Sequence, residues 1–151
     1  MYLTPFHCLT PLPLTGCLNC VKKTPLIHCL TNQVVQNFTA NVLLAIGASP
    51  AMVVAKNRKR LNLAPLPAAC WLNVGTLNDI QIESMTLAVS AANVAGVPWV
   101  LDPVAVGGLA YRTDFCRDLL NLKPAAIRGN ASEIMALAGF SSSGAWRRQC
   151  R

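Results

Sequence analysis

Residues 70–103 read CWLNVGTLNDIQIESMTLAVSAANVAGVPWVLDP, and their pattern decides the fold. A short apolar run, Cys70-Trp71-Leu72-Asn73-Val74, ends at Gly75-Thr76. A stretch of helical period follows from about Asn78 to Ala95 and stops near Gly96. A second apolar run, Trp99-Val100-Leu101, closes on Asp102-Pro103. Strand, crossover helix, strand is the repeating unit of a parallel sheet.

The alternation extends in both directions. Upstream, Pro25-Leu26-Ile27-His28-Cys29-Leu30 reads as a first strand, and Thr31 or Asn32 offers an N-cap for a helix to about Ala45. Gly47 stands where a helix-ending residue is expected, and Ser49-Pro50-Ala51-Met52-Val53-Val54 forms a short second strand. Downstream, a helix is predicted from about Thr113 to Leu122, then a strand at Ala126-Ile127, then a helix opening at Asn130 with Glu133 at capping-box spacing. The expectation is an α/β fold with a mainly parallel sheet and crossover helices. Each strand then ends in a loop of small or polar residues: Thr31-Asn32, Met52, Gly75-Thr76, Asp102-Pro103 and Arg128-Gly129-Asn130. In an open parallel sheet such carboxyl ends share one edge, and ligands bind there.

The chain has 151 residues, of which 53% are hydrophobic and 13% charged, enough to build one core without disulfides or metal. The net charge of +7 is local: Lys56, Arg58, Lys59, Arg60, Arg147, Arg148 and Arg151 make up seven of the 13 basic residues. The six that remain match the six acidic residues, so no basic face for nucleic acid or membrane is expected. Seven cysteines are an odd number for a disulfide framework, so a reducing cytoplasm is expected. Cys17-Leu18-Asn19-Cys20 lacks a second ligand pair at zinc-finger distance. Leu14-Thr15-Gly16-Cys17 has the shape of a lipoprotein box, but residues 1–16 hold no Lys or Arg and are broken by Pro5, Pro11 and Pro13. The apolar stretches 42–55 and 87–101 carry Pro50 and Pro98 and fall short of the ~18 residues of a membrane span. His28 is expected to be a buried imidazole satisfied by the backbone.

Two segments interrupt the pattern. Lys56-Asn57-Arg58-Lys59-Arg60 and the following run through Pro65 and Pro67 occupy the place of a crossover helix that two prolines forbid. After Gly139 apolar periodicity ceases. Both are expected to derive from shifted reading frames. The organisation read from this is an irregular N-terminal segment 1–24, a folded unit 25–139 and an atypical basic tail 140–151.

Asp102 ends an apolar strand ahead of a Gly-bearing loop, a placement that suits a hydrated divalent metal beside a phosphate or, equally, a simple loop cap. Arg128 at a strand end can contact phosphate oxygens, while Glu133 either serves metal and phosphate through water or completes the capping box. An arginine, two carboxylates and an apolar acceptor pocket make a coherent set for phosphoryl transfer. A Walker-type loop with its lysine is absent from the sequence, which excludes a P-loop kinase.

Thr31-Asn32, Phe38-Thr39-Ala40-Asn41, the run Leu43 to Met52, Leu72 to Leu77, Leu101-Asp102-Pro103-Val104 and the run Ala125 to Ile134 together resemble the hydroxyethylthiazole kinase family in order and spacing, over about three quarters of the chain. The resemblance implies a partial ribokinase-like fold, with 25–139 as the N-terminal part of the kinase domain. It implies ATP-dependent phosphorylation of 4-methyl-5-(2-hydroxyethyl)thiazole with Mg2+, in homotrimers. By matching motif it implies that Met52, Asn32, Val34 and Gly75 surround the thiazole, that Arg128 meets the ATP phosphates, and that Asp102 and Glu133 serve the metal. It further places the nucleotide loops and a catalytic cysteine, in a Gly-Thr-Gly-Cys motif, in another half of the family's length. None of the seven cysteines has that context, so the chain is expected to be inactive alone, or to act as a thiazole-binding or assembly module.

Overall fold

The computed structural model describes residues 23–54 and 67–140. The expectations for Cys17–Cys20, the basic clusters 56–60 and 147–151, and the two interrupted segments between 55 and 66 and beyond 140 lie outside the described residues.

Five strands form one parallel sheet: β1 (Leu26–Leu30), β2 (Ser49–Ala51), β3 (Ala69–Asn73), β4 (Trp99–Asp102) and β5 (Ala126–Ile127), in spatial order β2-β1-β3-β4-β5. Among the described residues four helices connect or follow them: α1 (Gln36–Ala45), α2 (Asp79–Ala95), α3 (Ala110–Leu120) and α4 (Ala131–Leu137). The α/β expectation holds. Register places Leu30 beside Leu72, and Asn73 beside Asp102.

The two central strands are apolar on both faces, as a sheet covered by helices requires. Leu72, Leu101 and Val74 are wholly buried, with Trp99 at 1% exposure. α2 buries Met85, Ala88, Val89 and Ala92, at the spacing of one helical face, and α3 adds Phe115, Cys116 and Leu119. Asn78 caps α2 by accepting from the Gln81 amide, and Gly96 ends it at φ 67°, a left-handed conformation that costs a side-chain-bearing residue ~1 kcal/mol or more.

Several boundaries differ from the sequence reading, three of them for a visible local reason. α1 begins at Gln36 rather than after Asn32, because the Asn32 carbonyl oxygen Oδ1 accepts from the amides of Val34 and Val35 and holds 32–35 as a turn. β2 stops at Ala51 instead of Val54, since the carbonyl of Val53 is taken by the His28 imidazole, whose Nε2 lies 2.9 Å away. That bond satisfies the buried histidine as expected. α3 starts at Ala110, three residues before Thr113; the Thr113 hydroxyl donates back to the Leu109 carbonyl and accepts from the Gly107 amide, so it sits within the first turn. β3 starts one residue early, at Ala69.

Apolar surface is left uncovered on several elements. α1 presents Phe38 at 72% and Val42 at 42% exposure, and the outer strand β5 leaves Ile127 at 41%. Because all five strands run parallel, the turn 32–35 and the loops after Ala51, Asn73, Asp102 and Ile127 lie along a single edge.

Candidate functional site

At that edge the buried polar side chains form a continuous line across four strands. Asn32, just beyond β1, donates through Nδ2 to Oδ1 of Asn73 at 2.7 Å. Asn73, the last residue of β3, donates through Nδ2 to Oδ2 of Asp102 at 2.8 Å. Asp102, the last residue of β4, faces Nη1 of Arg128, which lies 3.3 Å from each of its carboxylate oxygens. Parallel pairing of neighbouring strand ends places these residues side by side, so sheet register builds the line.

Exposure falls sharply along it. Asn32, Asn73 and Asp102 are buried, whereas the Arg128 side chain is 76% exposed. Burial therefore dominates the carboxyl of Asp102 and pushes its pKa above the ordinary carboxylate range. The Arg128 charge and the hydrogen bonds from Asn73 and Arg128 pull it back, and the nearby Glu133 charge adds to the rise. Arg128 is the solvent-facing partner of the pair, and its guanidinium stands on the cavity lining where a ligand can meet it.

Glu133 joins the site from α4. Its Oε2 accepts from the Asn130 amide at 2.8 Å, completing a capping box in which Asn130 Oδ1 accepts from the Glu133 amide at 3.0 Å. Its Oε1 accepts from the Ala105 amide at 2.9 Å, across the loop after β4. Ala105 is held at φ 60°, so one carboxylate both starts a helix and pins a strained loop beside Asp102. Of the two readings of Glu133 the structure shows the cap, and its charge lies near enough to Asp102 to raise that carboxyl's pKa.

Beside this line lies a cavity of ≈ 480 Å³, whose lining combines Val35, Phe38, Val42 and Trp71 with Asn32, Asn73, Asp102 and Arg128. An apolar bowl with a few convergent polar groups is the usual form of a small-molecule site. The structure brings Asn32, Asp102 and Arg128 together on the lining, with Glu133 behind them. Gly75 packs against Asn32, so tightly that a Cβ built there would meet Nδ2 at 2.6 Å. Val34, 84% exposed, and half-buried Met52 lie outside the lining. The lining residues Asn73, Phe38 and Trp71 were not singled out from sequence. For Asn73 a signal existed, a polar residue interrupting an otherwise apolar central strand.

Among the described residues no group of three or more His, Cys, Asp or Glu converges on one point. Asp102 and Glu133 nevertheless fit magnesium: both are oxygen donors, and Asp102 Oδ1 has only the 3.3 Å contact to Arg128. Two carboxylates and several waters are a normal set for that ion. The buried thiols of Cys29, Cys70 and Cys116 are free and held at about 12, 11 and 12, chiefly by burial, which leaves them poor nucleophiles. Among the described residues no helix is long and apolar enough to cross a membrane.

Comparison with known proteins points the same way. The sequence profile described as the hydroxyethylthiazole kinase family matches residues 18–145. The hydroxyethylthiazole kinase of Yersinia enterocolitica is 61% identical over 131 residues, which are 86% of this chain and 50% of that protein. That of Serratia proteamaculans is 63% identical over 130 residues, 85% of this chain and 49% of its own length. The solved structure of hydroxyethylthiazole kinase from Pyrococcus horikoshii OT3 superposes with a TM-score of 0.77 at 40% identity, covering 83% of this chain and 49% of that one. The chain therefore spans about half the length of the curated relatives it matches.

Proposed function

The chain belongs to the hydroxyethylthiazole kinase family, and from that premise we propose that it supplies the acceptor pocket and part of the phosphate-binding edge for ATP-dependent phosphorylation of 4-methyl-5-(2-hydroxyethyl)thiazole, in thiamine biosynthesis and salvage. The observation that carries the reading is the buried Asn32–Asn73–Asp102 line ending on an exposed arginine beside an apolar cavity. A ring of thiazole size fits ≈ 480 Å³ with room for its hydroxyethyl arm.

In this reading the apolar wall of Val35, Phe38 and Val42 takes the ring, with Asn32 beside it and Gly75 packed behind Asn32; Val34 and Met52, which stand outside the lining, are not assigned to the ring. Arg128 offers its guanidinium to ATP phosphates, and Asp102 and Glu133 would hold Mg2+ through oxygen atoms and water. That ion, when bound, neutralises phosphate charge. Asp102 keeps Arg128 at the mouth of the cavity, and Glu133 keeps the loop at Ala105 in place. None of the residues here is assigned as catalytic: the reacting cysteine and the nucleotide loops belong to the half of the relatives that these residues do not match. The chain alone should bind the thiazole and turn it over negligibly, since an unstabilised transition-state charge costs ~10²–10³ in rate.

A second reading, a non-catalytic thiazole-binding or subunit-assembly module, is favoured by the exposed apolar face of α1. Assembly as a homotrimer and residence in the cytoplasm complete the proposal, and the three free buried thiols suit a reducing compartment.

The test is an ATP-dependent phosphorylation assay on hydroxyethylthiazole. The 151-residue chain is assayed alone and mixed with the uncovered half of the Yersinia enterocolitica relative. Product only in the mixture supports the kinase reading. Thiazole binding without product in either sample supports the binding module, and no binding at all overturns both.

A further inference from the structure

Asn73 links the cavity wall, through Asn32, to the carboxylate of Asp102. It is 4% exposed, and its amide can stand in only one orientation. Oδ1 accepts from Asn32 Nδ2 and from the Gly75 amide at 2.9 Å, while Nδ2 donates to Asp102 Oδ2. Turning the amide over would set its NH2 against two donors and its oxygen against a carboxylate, losing all three bonds. Asn32, so held, uses its own Oδ1 to hold the amides of Val34 and Val35 at 2.9 and 3.0 Å. The turn that brings Val35 and Phe38 to the cavity is therefore tied, through two amides, to Asp102.

We propose that Asn73 is a positioning residue that couples the shape of the cavity wall to the charge bound around Asp102. A cation or phosphate that changes the load on the carboxylate changes the pull on Asn73 Nδ2, and the change passes to Asn32 and the 32–35 turn. Coupling of this kind is reciprocal, so an occupant of the cavity alters binding at the carboxylate by the same factor. The acceptor alcohol would then be gripped best when the phosphate side is loaded. The functional meaning rests on the thiazole kinase reading, but the coupling itself does not.

Asn73→Ser tests it. The variant is too short to reach Asp102 and removes the donor without adding charge. The other charged groups facing Asp102, Arg128 from the end of β5 and Glu133 from α4, are unchanged, so the parent chain is the control.

The readout is the backbone amide NMR of Val34 and Val35 in the full 151-residue chain as MgCl2 is added, with hydroxyethylthiazole titrations at low and high Mg2+ alongside. In the parent the two resonances should move with Mg2+ and thiazole affinity should rise about tenfold, whereas in N73S neither responds. Parental resonances that stay in place as Mg2+ is added, or N73S resonances that move as far as the parental ones, would overturn the coupling. If N73S is unfolded, the parental resonances decide. Because the amides need no thiazole, failure of the parent chain to bind it counts against the kinase reading alone.

Discussion

Gly75 offers the sharpest test of how the site is packed. A Cβ added there would lie 2.6 Å from Nδ2, 2.9 Å from Cγ and 3.0 Å from Cβ of Asn32. The Asn32 side chain cannot simply swing away, because it makes hydrogen bonds to Asn73, Val34 and Val35. Gly75→Ala must therefore break the Asn73 bond and misalign the other two. At about 1 kcal/mol net for a broken hydrogen bond, with partial loss of the others, the expected cost is ~2 kcal/mol, inside the range for overpacked sites. That corresponds to a fall in Tm of about 8 °C for a chain of this size. The backbone at Gly75 is not left-handed, so the whole cost should come from Asn32. A double-mutant cycle isolates it: in an Asn32→Gly background the same change should cost less than about 0.5 kcal/mol by urea unfolding. An equal penalty in both backgrounds would refute the argument that Asn32 is what keeps position 75 a glycine.

Other outcomes follow from the same geometry. Leu72→Ala, at a wholly buried position in β3, should lower stability by about 3 kcal/mol in urea unfolding, with the spread set by how far α2 collapses onto the void. Glu133→Gln leaves either the Asn130 or the Ala105 amide facing an NH2 group; a loss of about 1–2 kcal/mol and faster hydrogen exchange at one of those two amides are expected. For Asp102, burial raises the folded-state pKa above the unfolded value, so its stabilising contribution is full below the unfolded value and is lost as pH rises through the folded one. Asp102→Asn is neutral throughout, so its urea midpoint relative to the parent should climb as pH rises above the ordinary carboxylate value of about 4, while any affinity for Mg2+ falls. A midpoint difference independent of pH would mean that Arg128 and Asn73 fully offset the burial.

Much of the architecture was legible because its signals are local. The alternation of apolar runs with helical stretches marks β3, α2 and β4, and Asn78, Gly96 and the Asn130/Glu133 pair act as stop and start signals wherever the chain goes next. Asn32 looks like an N-cap, yet its carbonyl oxygen serves a turn three residues ahead of the helix, because its NH2 is drawn into the sheet edge by Asn73, 41 residues away. Thr113 looks like a helix start but bonds back inside the first turn.

For the site, chain order alone was enough to nominate Asp102 and Arg128, as charged residues at the ends of apolar strands, and Glu133 by its capping-box spacing in the helix that follows. What no local pattern contains is the register. Asn73 comes to lie beside Asp102 because β3 and β4 are paired residue for residue, and Asn32 reaches Asn73 because β1 is their neighbour on the other side. The type of each element was thus written in residue periodicity, which needs only nearest neighbours along the chain. The line of buried amides and the cavity beside it arise only when strands far apart in sequence are set in contact, and contact across the sheet is where hydrogen bonds between distant side chains are decided.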